Sequence, residues 1–137
     1  MTGIEDLDQE LLDHANQALR HSHAPYSRLS VGAALRSVGG RIHSGCNVES
    51  AAFPVGGCAE HHAIAAAVRA EGSAMRIERI AVLAVDGDGI TPPIPPCGAC
   101  RQLIREFGPD AVVLFRGSEG GIEQHRIVDL LPHSFTF

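Results

Sequence analysis

Apolar residues at Ile4, Leu7, Leu11, Leu12, Ala15, Ala18 and Leu19 recur at the three-to-four spacing of an amphipathic helix. Pro25, in the stretch APYS, breaks that pattern. The next periodicity is that of a hairpin: one strand near Val31 to Ser37, a turn at Gly39-Gly40, and a second strand over Arg41 to Val48. CAEHHAIAAAVRAEG is rich in alanine and predicts a helix that stops at Gly72. IERIAVLAV is β-branched and nearly all apolar, the pattern of a strand buried on both faces. The loop DGDGITPPIPP follows, then a helix over CGACRQLIREFG, a buried strand at AVVLFR, and a turn at GSEGG. IEQHRIV predicts an edge strand, and DLLPHSFTF one helical turn before Pro132. The order is helix, hairpin, helix, strand, helix, strand, strand, short helix. It predicts an α/β fold in one domain over 1–137: a three-layer α-β-α sandwich with a central mixed sheet of about five strands.

Composition narrows the function. The chain has 137 residues, of which 45% are apolar and 20% charged, an ordinary globular balance. Its formal net charge is −5, without a stripe of Arg or Lys, which argues against a nucleic acid polymer as substrate. No apolar run reaches the about 20 residues of a membrane helix. The stretch MTGIEDLDQELLDHA is acidic and lacks the basic start and apolar middle of a signal peptide, so the expected location is cytoplasmic. In that setting the cysteines Cys46, Cys58, Cys97 and Cys100 point to metal or redox chemistry before disulfides.

Two stretches carry that chemistry. In PCGAC, Pro96 suits a helix start, and Cys97 and Cys100 share one helical face in the first turn. The positive end of a helix favours thiolate, the form that binds metal. Cys58 follows Gly56-Gly57 and opens the alanine-rich helix, so it repeats the arrangement. Three thiolates with one position open describe a catalytic zinc. A structural zinc wants a fourth ligand, which His61, His62 or Cys46 could supply. A redox pair wants a strand running straight into C-x-x-C, whereas here a proline-rich loop intervenes. Glu60, two residues after Cys58, can reach a metal placed beyond the helix end, and a carboxylate there suits proton transfer to and from a water.

CAE at Cys58 to Glu60 and PCGACRQ at Pro96 to Gln102 resemble the zinc nucleobase deaminases. PYS at Pro25 to Ser27, VGAAL at Val31 to Leu35, GCNVE at Gly45 to Glu49 and LLPHSF at Leu130 to Phe135 are similar to the cytidine deaminase family in particular. The resemblance implies one Zn²⁺ per subunit on Cys58, Cys97 and Cys100. It implies hydrolytic deamination of cytidine and deoxycytidine by a zinc-activated water at C4, with Glu60 as proton shuttle and not a ligand. It further implies Asn47 and Glu49 on the ribose 3′-hydroxyl, the Ala59 main chain on the base carbonyl, and Phe135 stacked on the base in a neighbouring subunit of a homotetramer. Leu29 then forms a wall of the base pocket, and His61 and Gln102 support the metal ligands from outside. His62 is read as structural.

The chain departs from the family at three positions. Leu29 stands where Phe is usual, Ser50 where Asn is usual, and His61 where Arg is usual. Phe137 resembles the blasticidin-type deaminases. These changes keep a second expectation open: hydrolysis at C4 of blasticidin S or of N4-substituted cytidines. A third, of another class, is a zinc-stabilised binding module without catalysis, against which Glu60 argues. Cys46 carries no assigned role and is expected to pack as a small apolar residue.

Overall fold

A computed structural model describes residues 5–137. Ile4, the first apolar position of the expected first helix, lies outside the described residues. The elements follow in the order α1 (Asp6–Leu19), β1 (Ser30–Ser37), β2 (Ile42–Cys46), a one-turn 3₁₀ helix (Phe53–Val55), α2 (Ala59–Glu71), β3 (Ile77–Val85), α3 (Gly98–Phe107), β4 (Val112–Arg116), β5 (Ile122–Arg126) and α4 (Ile127–Leu130). Two features differ from the sequence expectation. The 3₁₀ turn at Phe53 has too few residues to leave a period, and the last helical turn begins inside the stretch read as an edge strand.

The five strands form one sheet in the order β2-β1-β3-β4-β5. Only β3 and β4 are parallel, which requires a crossover, and α3 supplies it. The sheet is therefore mixed and covered by helices on both faces.

Register explains the layers. Ala34 pairs with Ala81, and Ala81 with Leu114, so these side chains line one face. There they pack with Leu11, Leu12 and Ala15 of α1. On the opposite face Leu35, Ile80 and Val113 form one row, and Ala33, Val82 and Phe115 another. That face holds the larger core, with Ala63, Ile64 and Ala67 of α2, Ile104 of α3 and Ile127 of α4. Two glycines set how closely the helices approach. A Cβ on Gly32 would collide with the Ala15 carbonyl of α1, and one on Gly45 with the Ala63 main chain of α2.

This topology positions the chemistry. The segments leading to α2 and α3 leave the carboxyl ends of β2 and β3, the two neighbours of β1. Both helix starts therefore arrive at the same edge of the sheet, where α/β folds place ligands.

Candidate active site

The α2 and α3 helices begin on cysteines. Cys58 occupies the position before the first turn of α2, Cys97 the same position on α3, and Cys100 lies in the first turn of α3. Neither Cys58 nor Cys97 makes a side-chain cap to its helix, so both thiols are free to turn toward each other. The sulfurs of Cys58, Cys97 and Cys100 lie within 4.8 Å of one another.

Alone, the Cys58 and Cys100 thiols resist ionisation. Burial pushes the Cys58 thiol up, with the nearby Cys97 and Glu60 charges adding to it. Burial likewise raises Cys100 strongly, reinforced by Glu60 and Cys58. A soft divalent cation between them reverses this balance by offsetting three thiolates at once. The donor set therefore fits zinc, and three protein ligands leave one position for water or substrate.

Glu60 sits in the first turn of α2 and is 4% exposed. Among the described residues, no arginine or histidine forms an ion pair with it. Burial pushes its carboxyl above the usual range. It is thus a carboxylate that can carry a proton, placed beside the sulfur cluster.

A cavity of about 500 Å³ opens at this point. It brings Leu29, Asn47, Glu49, Cys58, Ala59, Glu60 and Cys97 together. Ala59 is the first residue of α2, where main-chain N–H groups have no partner within the helix. The same lining holds an amide and a carboxylate. Asn47 Oδ1 accepts from the Val31 N–H at 2.9 Å, and Nδ2 donates to the Leu29 carbonyl at 2.8 Å. That leaves one N–H and one lone pair of the amide for a ligand. Glu49 Oε1 accepts from the Tyr26 and Ser27 N–H groups at 3.0 and 3.1 Å, and Oε2 from the Ser27 hydroxyl. The Ser27 hydroxyl, foremost, holds the Glu49 carboxyl below its ordinary range.

Three residues named from the sequence lie elsewhere. His61 is exposed on α2, and its ring stacks on that of His62 with centroids 5.9 Å apart. Gln102 spends both ends of its amide on Phe135, donating to its carbonyl at 2.8 Å and accepting from its N–H at 3.0 Å. Phe135 is 66% exposed and meets Phe137 edge-on at 5.0 Å. None of the three lines the cavity. His62 pairs through Nδ1 with the Cys46 carbonyl at 2.7 Å, which ties α2 to the end of β2.

The cavity also uses Phe53 and Ile94, which residue patterns did not single out, and Tyr26, which stood out only as part of the stretch PYS. Phe53 had a readable signal, a large apolar residue in a loop just before Gly56-Gly57.

The Cytidine and deoxycytidylate deaminase zinc-binding region matches residues 5–116. The chain belongs to the cytidine deaminase family. Cytidine deaminase of Halalkalibacterium halodurans is 37% identical over 129 residues, covering 93% of this chain and 93% of that protein. The crystal structure of cytidine deaminase from Burkholderia pseudomallei superposes with a TM-score of 0.80 at 37% identity, covering 93% of this chain and 98% of the other. Blasticidin-S deaminase of Bacillus cereus is also similar, 32% identical over 136 residues, covering 97% of this chain and 95% of that protein.

Proposed function

We infer that this chain is a zinc-dependent cytidine deaminase, converting cytidine and deoxycytidine with water to uridine and deoxyuridine plus ammonia. The observation that carries it is the pairing of a three-thiol cluster with a buried Glu60 that, among the described residues, has no ion-pair partner and lines the same cavity.

Cys58, Cys97 and Cys100 hold the metal. Bound zinc supplies a Lewis acid that makes water a nucleophile near neutral pH. The chain's own residues do the rest. Glu60 takes one proton from the attacking water and delivers it to N3, then takes the second from the oxygen now on C4 and delivers it to the amino group. The C4–N bond breaks, ammonia leaves, and C4 becomes a carbonyl. One carboxylate serves each transfer because its buried position leaves it uncommitted to any cation. The Ala59 N–H meets the base carbonyl. The free N–H of Asn47 and the free lone pairs of Glu49 take the sugar 3′-hydroxyl, and Leu29 walls the base.

The exposed Phe135, fixed by both ends of Gln102, supports a further reading: it stacks on the base in a neighbouring subunit, and the chain works as a homotetramer. His61, exposed in the first turn of α2, is read as supporting the metal ligands from outside the cavity. No helix among the described residues is long and apolar enough to cross a membrane. We read the protein as one cytoplasmic domain that takes small nucleosides.

A second substrate class is favoured by Leu29, which replaces an aromatic wall, and by the similarity to blasticidin-S deaminase. An ultraviolet assay of the zinc-loaded protein on cytidine, deoxycytidine, cytosine, blasticidin S and N4-acylcytidine separates the readings. Cytidine and deoxycytidine are expected to turn over well, and cytosine poorly, because it offers Asn47 and Glu49 no sugar. Preference for blasticidin S or N4-acylcytidine selects the second class. Zinc bound with no turnover of any of them overturns both in favour of a binding module.

A further inference from the structure

The Ser27 hydroxyl is a junction between two parts of the cavity. It accepts from the Leu29 N–H at 3.0 Å and donates to Glu49 Oε2. The Leu29 carbonyl in turn accepts from Asn47. One hydroxyl thus links the wall of the base pocket to the Glu49 carboxylate, and Asn47 closes the web from the other side. The backbone here is held in a conformation it does not prefer. Arg28 has φ 60°, alone among the described non-glycine residues in having a positive φ. Its N–H closes a turn onto the Ala24 carbonyl at 3.0 Å. A left-handed arginine persists only where its surroundings over-determine it, and here they are the Ala24 turn, the close approach of Gly87 and the Ser27–Glu49 contacts next to it.

Without this turn Glu49 is a flexible carboxylate on a loop. With it, Oε1 is occupied by two main-chain donors and Oε2 is oriented by one hydroxyl, leaving a fixed set of lone pairs facing the cavity. We propose that Ser27 is a positioning residue that aims the Glu49 carboxylate at the nucleoside sugar and so sets the enzyme's preference for substrates bearing a 3′-hydroxyl. The proposal rests on the assignment of Glu49 to the sugar.

The test is a discrimination ratio: kcat/KM for cytidine divided by kcat/KM for 3′-deoxycytidine, measured on zinc-loaded protein together with metal content. Ser27→Ala is expected to lower the ratio about 10-fold, the scale of one hydrogen bond to a charged group. The change should come chiefly as a higher KM for cytidine, with zinc content unchanged. Ser27→Thr keeps the hydroxyl and should restore the ratio. Glu49→Gln is the control for the underlying assignment and should lower the ratio at least as far. If Glu49→Gln lowers the ratio and Ser27→Ala leaves it intact, the positioning role is wrong while the sugar assignment stands. If Glu49→Gln leaves the ratio intact, the sugar assignment itself fails. Equal losses on both substrates in Ser27→Ala also overturn the proposal, since a merely structural serine acts that way. Should the alanine variant not fold, Ser27→Cys, of similar size and a weak donor, asks the same question of the ratio.

Discussion

Asp8 and Glu60 are both carboxylates in the first turn of a helix, and both are buried, at 3% and 4% exposure. They lie on opposite faces of the same sheet. Asp8, on α1, receives both arms of Arg79 at 2.7 and 3.0 Å, and Arg79 is steadied in turn by Gln124 of β5. Glu60, on α2, has no such partner among the described residues and lies beside the thiols of Cys58 and Cys100. The difference teaches how one group serves two ends. A buried carboxylate with a matched guanidinium is held in a two-armed ion pair and fastens α1 to the sheet. A buried carboxylate without one has a raised pKa and is ready to exchange a proton.

The comparison predicts a division of effects: changes on the α1 face alter stability, and changes at the α2 and α3 starts alter chemistry. The largest effect belongs to the metal. Cys97→Ala, at an exposed position, should weaken zinc binding by more than about 100-fold, beyond what loss of an outer partner costs, and abolish turnover while the fold persists. Metal analysis beside circular dichroism checks both halves.

Next is Asp8→Asn. Removing the carboxylate leaves Arg79 short of its counter-charge. The expected loss is about 2–3 kcal/mol in urea unfolding, below the about 3–5 kcal/mol of a fully buried pair, because Arg79 is partly exposed and keeps Gln124. The kcat of the folded fraction should be retained. A fall in kcat with unchanged stability would mean that the two faces are not separable.

A third effect concerns protons. Since burial keeps the Cys58 and Cys100 thiols protonated until a cation arrives, zinc uptake should release protons, and its affinity should rise with pH. Metal competition at several pH values, with proton release followed by a dye in weak buffer, measures it.

The smallest concerns Glu49, whose carboxyl Ser27 holds below its usual range. With a depressed folded pKa, the charged form and its contribution to stability are fully present above the unfolded value. They are lost only as pH falls through the lower folded value. The KM for cytidine should therefore show no step at the ordinary carboxylate pKa of about 4.3. Ser27→Ala should bring the step up toward it.

Much of this architecture was legible in the residues. Alanine-rich and β-branched runs separate helix from strand by composition, and Cys58, Cys97 and Cys100 declare themselves by lying at two helix starts. The buried pair of Asp8 and Arg79 was not legible, because its partners stand 71 residues apart and meet only once register is set. Ser27 stood out only as part of the stretch PYS, and its use appears when Glu49, 22 residues on, folds back against it. Gln102 follows the helical pattern of α3, yet which neighbour its amide reaches depends on where the segment around Phe135 returns.

The central claim is that Glu60 moves protons and does not hold the metal. Zinc content and cytidine turnover measured on the same preparation of Glu60→Gln test it most directly. The account predicts a full complement of zinc with turnover reduced about 10²–10⁴-fold, the usual worth of a general acid–base group. Loss of zinc in that variant, or turnover near that of the native protein, would contradict it.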